Sequence, residues 1–450
     1  MKKYFILFLA VVLAVSLGFM GVSCKAEEAA AEEEVVAEEE VAAEEAAEEE
    51  VVEKPFEGIT LKVITIADLL TPEIDKKFEE LTGAKIEAET VSFMDLLPKL
   101  TTAFVAESAD FDLFLMGPIH AGKFGEGGWY VPVNDLITPE DMEDIIPVYL
   151  DMYTWEGDLV GMPLNACPFM LFYNSKILSD AGLDPAKTWE ELADQSMQLQ
   201  EAGVVDYGIT WPFLSGDDMS MDVWSLVMMS LGGKLFDENG DLAFNSEEGV
   251  RAIEILADSM IKDKWANPAS LEVEKMESMK NFTNGIDAYN LNWQFMFPMT
   301  IDPEQSIIAD YSKMAMVPIE PGAEYSSWTT GAAYGVNPFI SDEQKEASIE
   351  YLKVFGDKEN ALQLLKDKAW LPMWKSVYDD PECNEINPDI PALKEQLTKA
   401  AMMLTTPWFP EFKEILRLEI APALAGDISA QEALDSAEQK ILQRIEENWE

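Results

Sequence analysis

Along residues 59–66 (ITLKVITI) apolar positions first alternate and then fill in, the pattern of a strand that is soon covered on both faces. Thr71-Pro72-Glu73 opens a helix with Ile74, Phe78 and Leu81 on one face and a stop at Gly83. Residues 84–91 read as a second strand, 93–106 as a second helix and 111–116 (FDLFLM) as a third strand. Alternating β and α segments with apolar strands predict a parallel sheet covered on both faces. Residues 117–128 then read as a loop outside the carboxyl end of the third strand, where open α/β sheets bind ligands.

Further on, residues 153–162 read as a two-strand turn centred on Glu156-Gly157. In residues 161–192 (GMPLNACPFMLFYNSKILSDAGLDPAKTWEEL), Gly161-Met162-Pro163 ends what precedes, because Pro cannot donate a ladder hydrogen bond. Residues 169–173 (FMLFY) are an apolar run of strand length. Asn174-Ser175 caps a helix near Lys176, Asp184-Pro185 is a turn, and Thr188-Trp189-Glu190-Glu191 starts another helix. Helices follow at 219–231, 247–260 and 274–284. Strands follow at 207–212, 287–291 and 314–318, with a hairpin at 234–245 whose tip is Asn239-Gly240.

The order of Pro163, Tyr173-Asn174-Ser175-Lys176 and then A-G-L-D-P-x-x-T-W-E-E-L resembles the core signature of extracellular solute-binding proteins that feed sugar ABC transporters, the maltose-binding type among them. FEELTGAKIEAE, WYVPVNDL, GIDAYNLNWQF, AWLPMWKSVYDDPE and ALAGDISAQEALDSAEQKI resemble further segments of that family in the same order, so the resemblance runs from about 55 to 450. It implies an α/β, two-lobed periplasmic-binding-protein type II fold, each lobe a mainly parallel sheet flanked by helices, with the ligand cleft between them. In that topology the chain crosses between lobes three times. The crossings are expected near Leu164-Asn165, Tyr334-Gly335 and Leu371-Pro372, giving one lobe of 55–164 with 335–371 and another of 165–334 with 372–450. Pro163-Leu164-Asn165 then reads as a hinge.

The N-terminus changes the picture of location. Lys2 and Lys3 precede an apolar run from Tyr4 to Met20 broken only by Ser16 and Gly18, a secretory signal peptide spanning residues 1–23. Gly21-Val22-Ser23-Cys24 resembles a bacterial lipoprotein box, which implies lipid on Cys24 and an extracytoplasmic protein anchored to a bacterial membrane; an uncleaved anchor and plain secretion are the alternatives. Residues 25–54 hold 14 Glu and 2 Lys in an Ala/Glu/Val tract with nothing to form a core, so a solvated spacer is expected. The whole chain carries −54, of which −44 remains on residues 55–450. Such a surface excludes nucleic acid as a partner, since phosphate recognition needs clustered Lys and Arg. Past Cys24 only Cys167 and Cys383 remain, and two free, partly buried thiols are expected over a bridge.

The chain has a single histidine, His120, and lacks G-x-S-x-G, H-E-x-x-H and P-loop motifs, so neither an enzyme nor a cofactor or metal site is expected. Tryptophan stands out, with 12 residues. A sugar offers one C–H face and a rim of hydroxyls, which calls for an aromatic platform with polar partners. The resemblance brings Trp211, Trp293, Trp328, Trp370 and Trp408 to the cleft, core packing being the equal alternative for each. Polar partners would come from Asp68, His120, Asn165 and Asp217, with Met116, Phe169 and Cys167 where strands meet the cleft; Asp68 reads equally as a cap. The expected function is a monomeric substrate-binding lipoprotein that captures a sugar or oligosaccharide by lobe closure and hands it to ABC permease subunits. The same fold taking a polyamine, and a surface adhesin or scaffold, are the competing readings.

Overall fold

A computed structural model describes residues 54–215, 218–402 and 408–447. Cys24 and Asp217 lie outside the described residues. Nine strands form one mixed, curled sheet. β1 (Thr60–Thr65) runs parallel to β2 (Lys85–Thr90) on one side and to β3 (Leu113–Met116) on the other. A separate hairpin pairs β4 (Thr154–Trp155) with β5 (Asp158–Leu159). Then come β6 (Met162–Asn174), β7 (Tyr207–Ile209), β8 (Asp287–Trp293), β9 (Ser312–Ala315), β10 (Ser327–Val336) and β11 (Ala400–Met402). The order is β2-β1-β3-β10-β6-β8-β7, with β11 on β10 and β9 on β6.

Two long strands join the halves. β10 lies antiparallel to β3 through Ala333–Val336 and to β6 from Thr329 to Tyr334. β6 lies antiparallel to β10 up to Pro168 and antiparallel to β8 from Phe169 onward. The hairpin before Gly161 ends at Leu159, as expected, but the next strand, expected over 169–173, already starts at Met162 and carries both Pro163 and Pro168. Pro163 is tolerated because the register slips there. Ala333 opposes Pro163 and Ala332 opposes Asn165, so Leu164 is an extra residue, a bulge. The Asn165 side chain repairs the ladder, its Oδ1 accepting the Ala332 N–H at 3.1 Å. Pro163-Leu164-Asn165 is therefore bulged strand.

Each half has its own core. One gathers Leu61, Val63, Phe78, Leu100, Phe104 and Phe114 around β1 and β3. The other gathers Trp211, Trp224, Leu256, Leu291, Phe412 and Leu416 around β8 and the helices on it. Met373, Tyr378, Cys383, Leu393 and Leu397, from the segment after Leu371, share the first core, as do Met170, Phe172 and Phe282 beneath β6 and β8. Capping follows the sequence: Asn174 accepts from Lys176 and Ile177, Thr188 from Glu191, and Ser341 forms a capping box with Gln344. Among the described residues no helix is long and apolar enough to cross a membrane.

Candidate functional site

Strand direction alone locates the site. β1, β2 and β3 are parallel, so their carboxyl ends share one edge, and they lead into a short 3₁₀ turn (Ala67–Leu69), helix Phe93–Val105 and helix Pro118–Gly127. β10 is antiparallel to β3, so Gly331 lies beside that edge, and a Cβ on Gly117 would sit 3.9 Å from the Gly331 oxygen. From the other half, β8 ends at Trp293 opposite Phe169, and β7 is parallel to β8. The carboxyl ends of both strand sets thus converge on residues 166–169 of β6. Ligands of open α/β sheets bind outside such ends.

Residues 117–128, expected as a loop beyond the third strand, are largely helix. Pro118 is acceptable at the first helical position, and Gly128 ends the helix with φ 62°. The buried ring of His120 stacks on Phe93 at 5.7 Å and tilts against Phe124 at 5.8 Å. Its Nδ1 accepts the Gly117 N–H at 3.2 Å. Burial, and to a lesser degree the nearby Lys123, pushes its pKa down to about 4.

The expected site residues divide. Asp68 is exposed on the 3₁₀ turn after β1 and makes no capping bond to the turn that follows. Phe169 and Trp293 face each other across β6 and β8 with ring centroids 4.0 Å apart. Asn165 is buried, its Oδ1 committed to β10. Met116 is fully buried under the sheet, its Cε 2.6 Å from where a Cβ on Gly335 would sit. Trp211 is 0% exposed, its indole N–H donates to Ser259 at 2.9 Å, and its ring stacks on Phe213. Trp328 is buried, its N–H given to Ser225 at 2.8 Å. In this arrangement Met116, Trp211 and Trp328 offer no face to a ligand, because the core has taken their surface and their polar atoms.

Trp370 is half-buried beneath the Lys368 ammonium, 5.4 Å from its ring, and lines a crevice with Leu164, Phe355, Leu364 and Met373. Gln294, next to Trp293, donates to the Ala369 carbonyl at 3.1 Å and so links the end of β8 to that segment. Trp408 is half-buried among Phe236, Phe409 and Phe412. Cys167 and Cys383 are free and buried, and burial pushes the Cys167 thiol up to about 12, which leaves it unreactive.

Two aromatic residues at these strand ends were missed by sequence reasoning. Phe93, just beyond β2, is 46% exposed, and Phe295, just beyond β8, is 50% exposed. Met94, next to Phe93 in sequence, is exposed as well. Half-exposed Phe at a strand end invites a ligand face. The only sequence signal was position, two to three residues past a strand end.

This architecture, two strand sets meeting end to end along shared long strands, defines a two-lobed solute-binding protein. The chain matches the family of bacterial extracellular solute-binding proteins over residues 64–362 and belongs to it. That is a family of substrate-binding transport proteins, found outside the cytoplasm. The chain is 22% identical over 413 residues to the mannitol-binding protein of Pseudomonas aeruginosa, covering 86% of this chain and 93% of that one. Among solved structures it resembles maltose-bound MalE3 of T. maritima (TM-score 0.72, 19% identity, 86% of this chain and 99% of that one). It also resembles an ABC transporter solute-binding protein of Agrobacterium radiobacter K84 in complex with ribitol (TM-score 0.70, 25% identity, 86% and 99%).

Proposed function

We propose that this protein is the extracytoplasmic, Cys24-lipidated binding component of an ABC importer, and that it captures a sugar or polyol and delivers it to a membrane permease. The observation that carries the reading is the convergence of both sets of strand ends on residues 166–169, with Phe93 and Phe295 half exposed there. An aromatic face plus fixed polar groups suits a ligand with a C–H face and a rim of hydroxyls. The ligands of the proteins it resembles, mannitol, maltose and ribitol, favour this class over a polyamine or a scaffold role.

The lobes are assigned as 55–164 with 335–371 and 165–334 with 408–450, turning on β6 and β10, with the segment from Met373 to Leu397 packed on the core of the first. Ligand contacts from both lobes stabilise the closed arrangement by differential affinity. Asp68, His120, Trp293 and Trp408 are retained as candidate contacts, Phe169 is left out because its ring is fully buried against Trp293, and Phe93 and Phe295 are added. Isothermal titration of the chain from residue 55 with mannitol, ribitol, maltose, maltotriose and spermidine tests the reading. Saturable binding of one of the hydroxyl compounds, with a concentration-dependent rise in Tm, is expected. A response to spermidine alone would replace the ligand class.

A further inference from the structure

His120 is held on one ring nitrogen and open on the other. It is the chain's only histidine and is 3% exposed. Because Nδ1 accepts the Gly117 N–H, the proton of the neutral ring resides on Nε2. That Nε2–H has no protein partner among the described residues, and it is not one of the sealed, partnerless atoms, so it meets solvent. The Phe93 and Phe124 rings fix the imidazole plane. Buried polar groups are ordinarily satisfied, so a buried, oriented donor that is open at one end is a built contact point.

We propose that His120 is a specificity-determining donor of this site, its Nε2–H giving a hydrogen bond to an oxygen of an uncharged hydroxyl compound seated against Phe93. The inference rests on the sugar or polyol reading and adds which group is read and with what charge. A ring kept neutral by burial gives a directional bond without attracting anions. The helix terminus adds little for an anion either. Pro118 has no N–H, the Gly117 N–H is spent on His120, and the His120 N–H is given to the Gly117 carbonyl at 3.0 Å, which leaves Ile119.

The charged groups around the ring are few. Lys123, one turn along the same helix, is the cation whose field reaches it. On the facing helix Asp95 is bonded to Ser92 at 2.7 Å and Lys99 is paired with Glu89. Lys123 is thus the group that would answer if the ligand carried a phosphate.

The test is calorimetric titration of wild type, H120N, H120Q and K123Q with mannitol, ribitol, maltose and glycerol 3-phosphate. Asn can take over the Nδ1 acceptor bond but does not reach the Nε2 position, whereas Gln carries an N–H there. H120N is expected to weaken binding of the neutral ligand about fivefold or more, H120Q to recover most of it, and K123Q to leave it unchanged. Tm reports folding of each variant. Wild-type affinity is expected to stay level from pH 8 to 5.5 and to fall only as the pH approaches 4.

H120N binding like wild type, or a wild-type pH midpoint near 6.5, would overturn the role of His120 while leaving the sugar or polyol reading intact. Wild type that takes none of the neutral compounds overturns both. Tight glycerol 3-phosphate binding lost in K123Q overturns the neutral specificity.

Discussion

The Tyr149 hydroxyl donates a 2.6 Å hydrogen bond to the carbonyl of Leu371, and its own oxygen is approached by the backbone N–H of Ala166 in β6. Ala166 and Leu371 also form an isolated antiparallel bridge. One buried side chain thereby pins β6 to the segment around Leu371. Tyr149→Phe would leave the Leu371 carbonyl without this partner, and the expected loss in urea denaturation is about 1–3 kcal/mol. An unchanged midpoint would show that the bridge alone holds the junction.

Trp211 gives a contrast between expectation and structure. As a ligand platform, its replacement would abolish binding and spare the fold. As fully enclosed core bonded to Ser259, Trp211→Ala is expected to cost about 3–5 kcal/mol of stability. Trp211→Phe keeps much of the packing and is expected to bind ligand with unchanged affinity. Lost affinity in a well-folded Trp211→Phe protein would return this residue to the site.

Phe295 is predicted to behave the opposite way. Half exposed, it contributes little to the core, so Phe295→Ala should leave stability within about 0.5 kcal/mol of wild type. Loss of a stacking face should weaken ligand binding about three- to tenfold, read by titration calorimetry. Equal affinities would exclude it from the cleft.

Asp287 makes stability depend on pH. It is fully buried at the start of β8, neither carboxylate oxygen has a well-formed hydrogen bond, and burial pushes its pKa up to about 7 against weaker opposing help from Thr210. Below about pH 4 both folded and unfolded states are protonated. Between about 4 and 7 the unfolded chain ionises while the folded one holds its proton, so stability falls as pH rises, and above about 7 the whole penalty is present. Asp287→Asn removes it, and its gain in Tm should be larger at pH 8 than at pH 4, reflecting a few kcal/mol. A gain independent of pH would mean that the carboxylate finds a partner.

How much was legible can be followed residue by residue. The strands read at 59–66, 111–116 and 287–291 and the capping residues Asn174 and Thr188 report local physics, and they fold to within two residues of that reading. Residues 117–128 were expected as a loop beyond the third strand, but that segment packs as helix: a Cβ on Gly125 would sit 2.2 Å from Trp155, so the glycine there serves close approach. Pro163 follows the end of the hairpin, as expected, yet lies inside the next strand, where a bulge repaired by Asn165 absorbs it. Tryptophan enrichment pointed to aromatic chemistry without saying which rings would face outward.

Sequence by itself determined the alternation of strands and helices, the order of motifs and the acidic surface, because each depends on neighbours along the chain or on composition. Tertiary structure alone decided which aromatic rings are core and which are surface, since that depends on what is brought against each ring. The indoles of Trp211 and Trp328 find Ser259 and Ser225, 48 and 103 residues away, and are spent there. Phe93 and Phe295 stand just past strand ends with part of each ring uncovered, and His120 keeps one N–H free because Gly117 holds the other nitrogen.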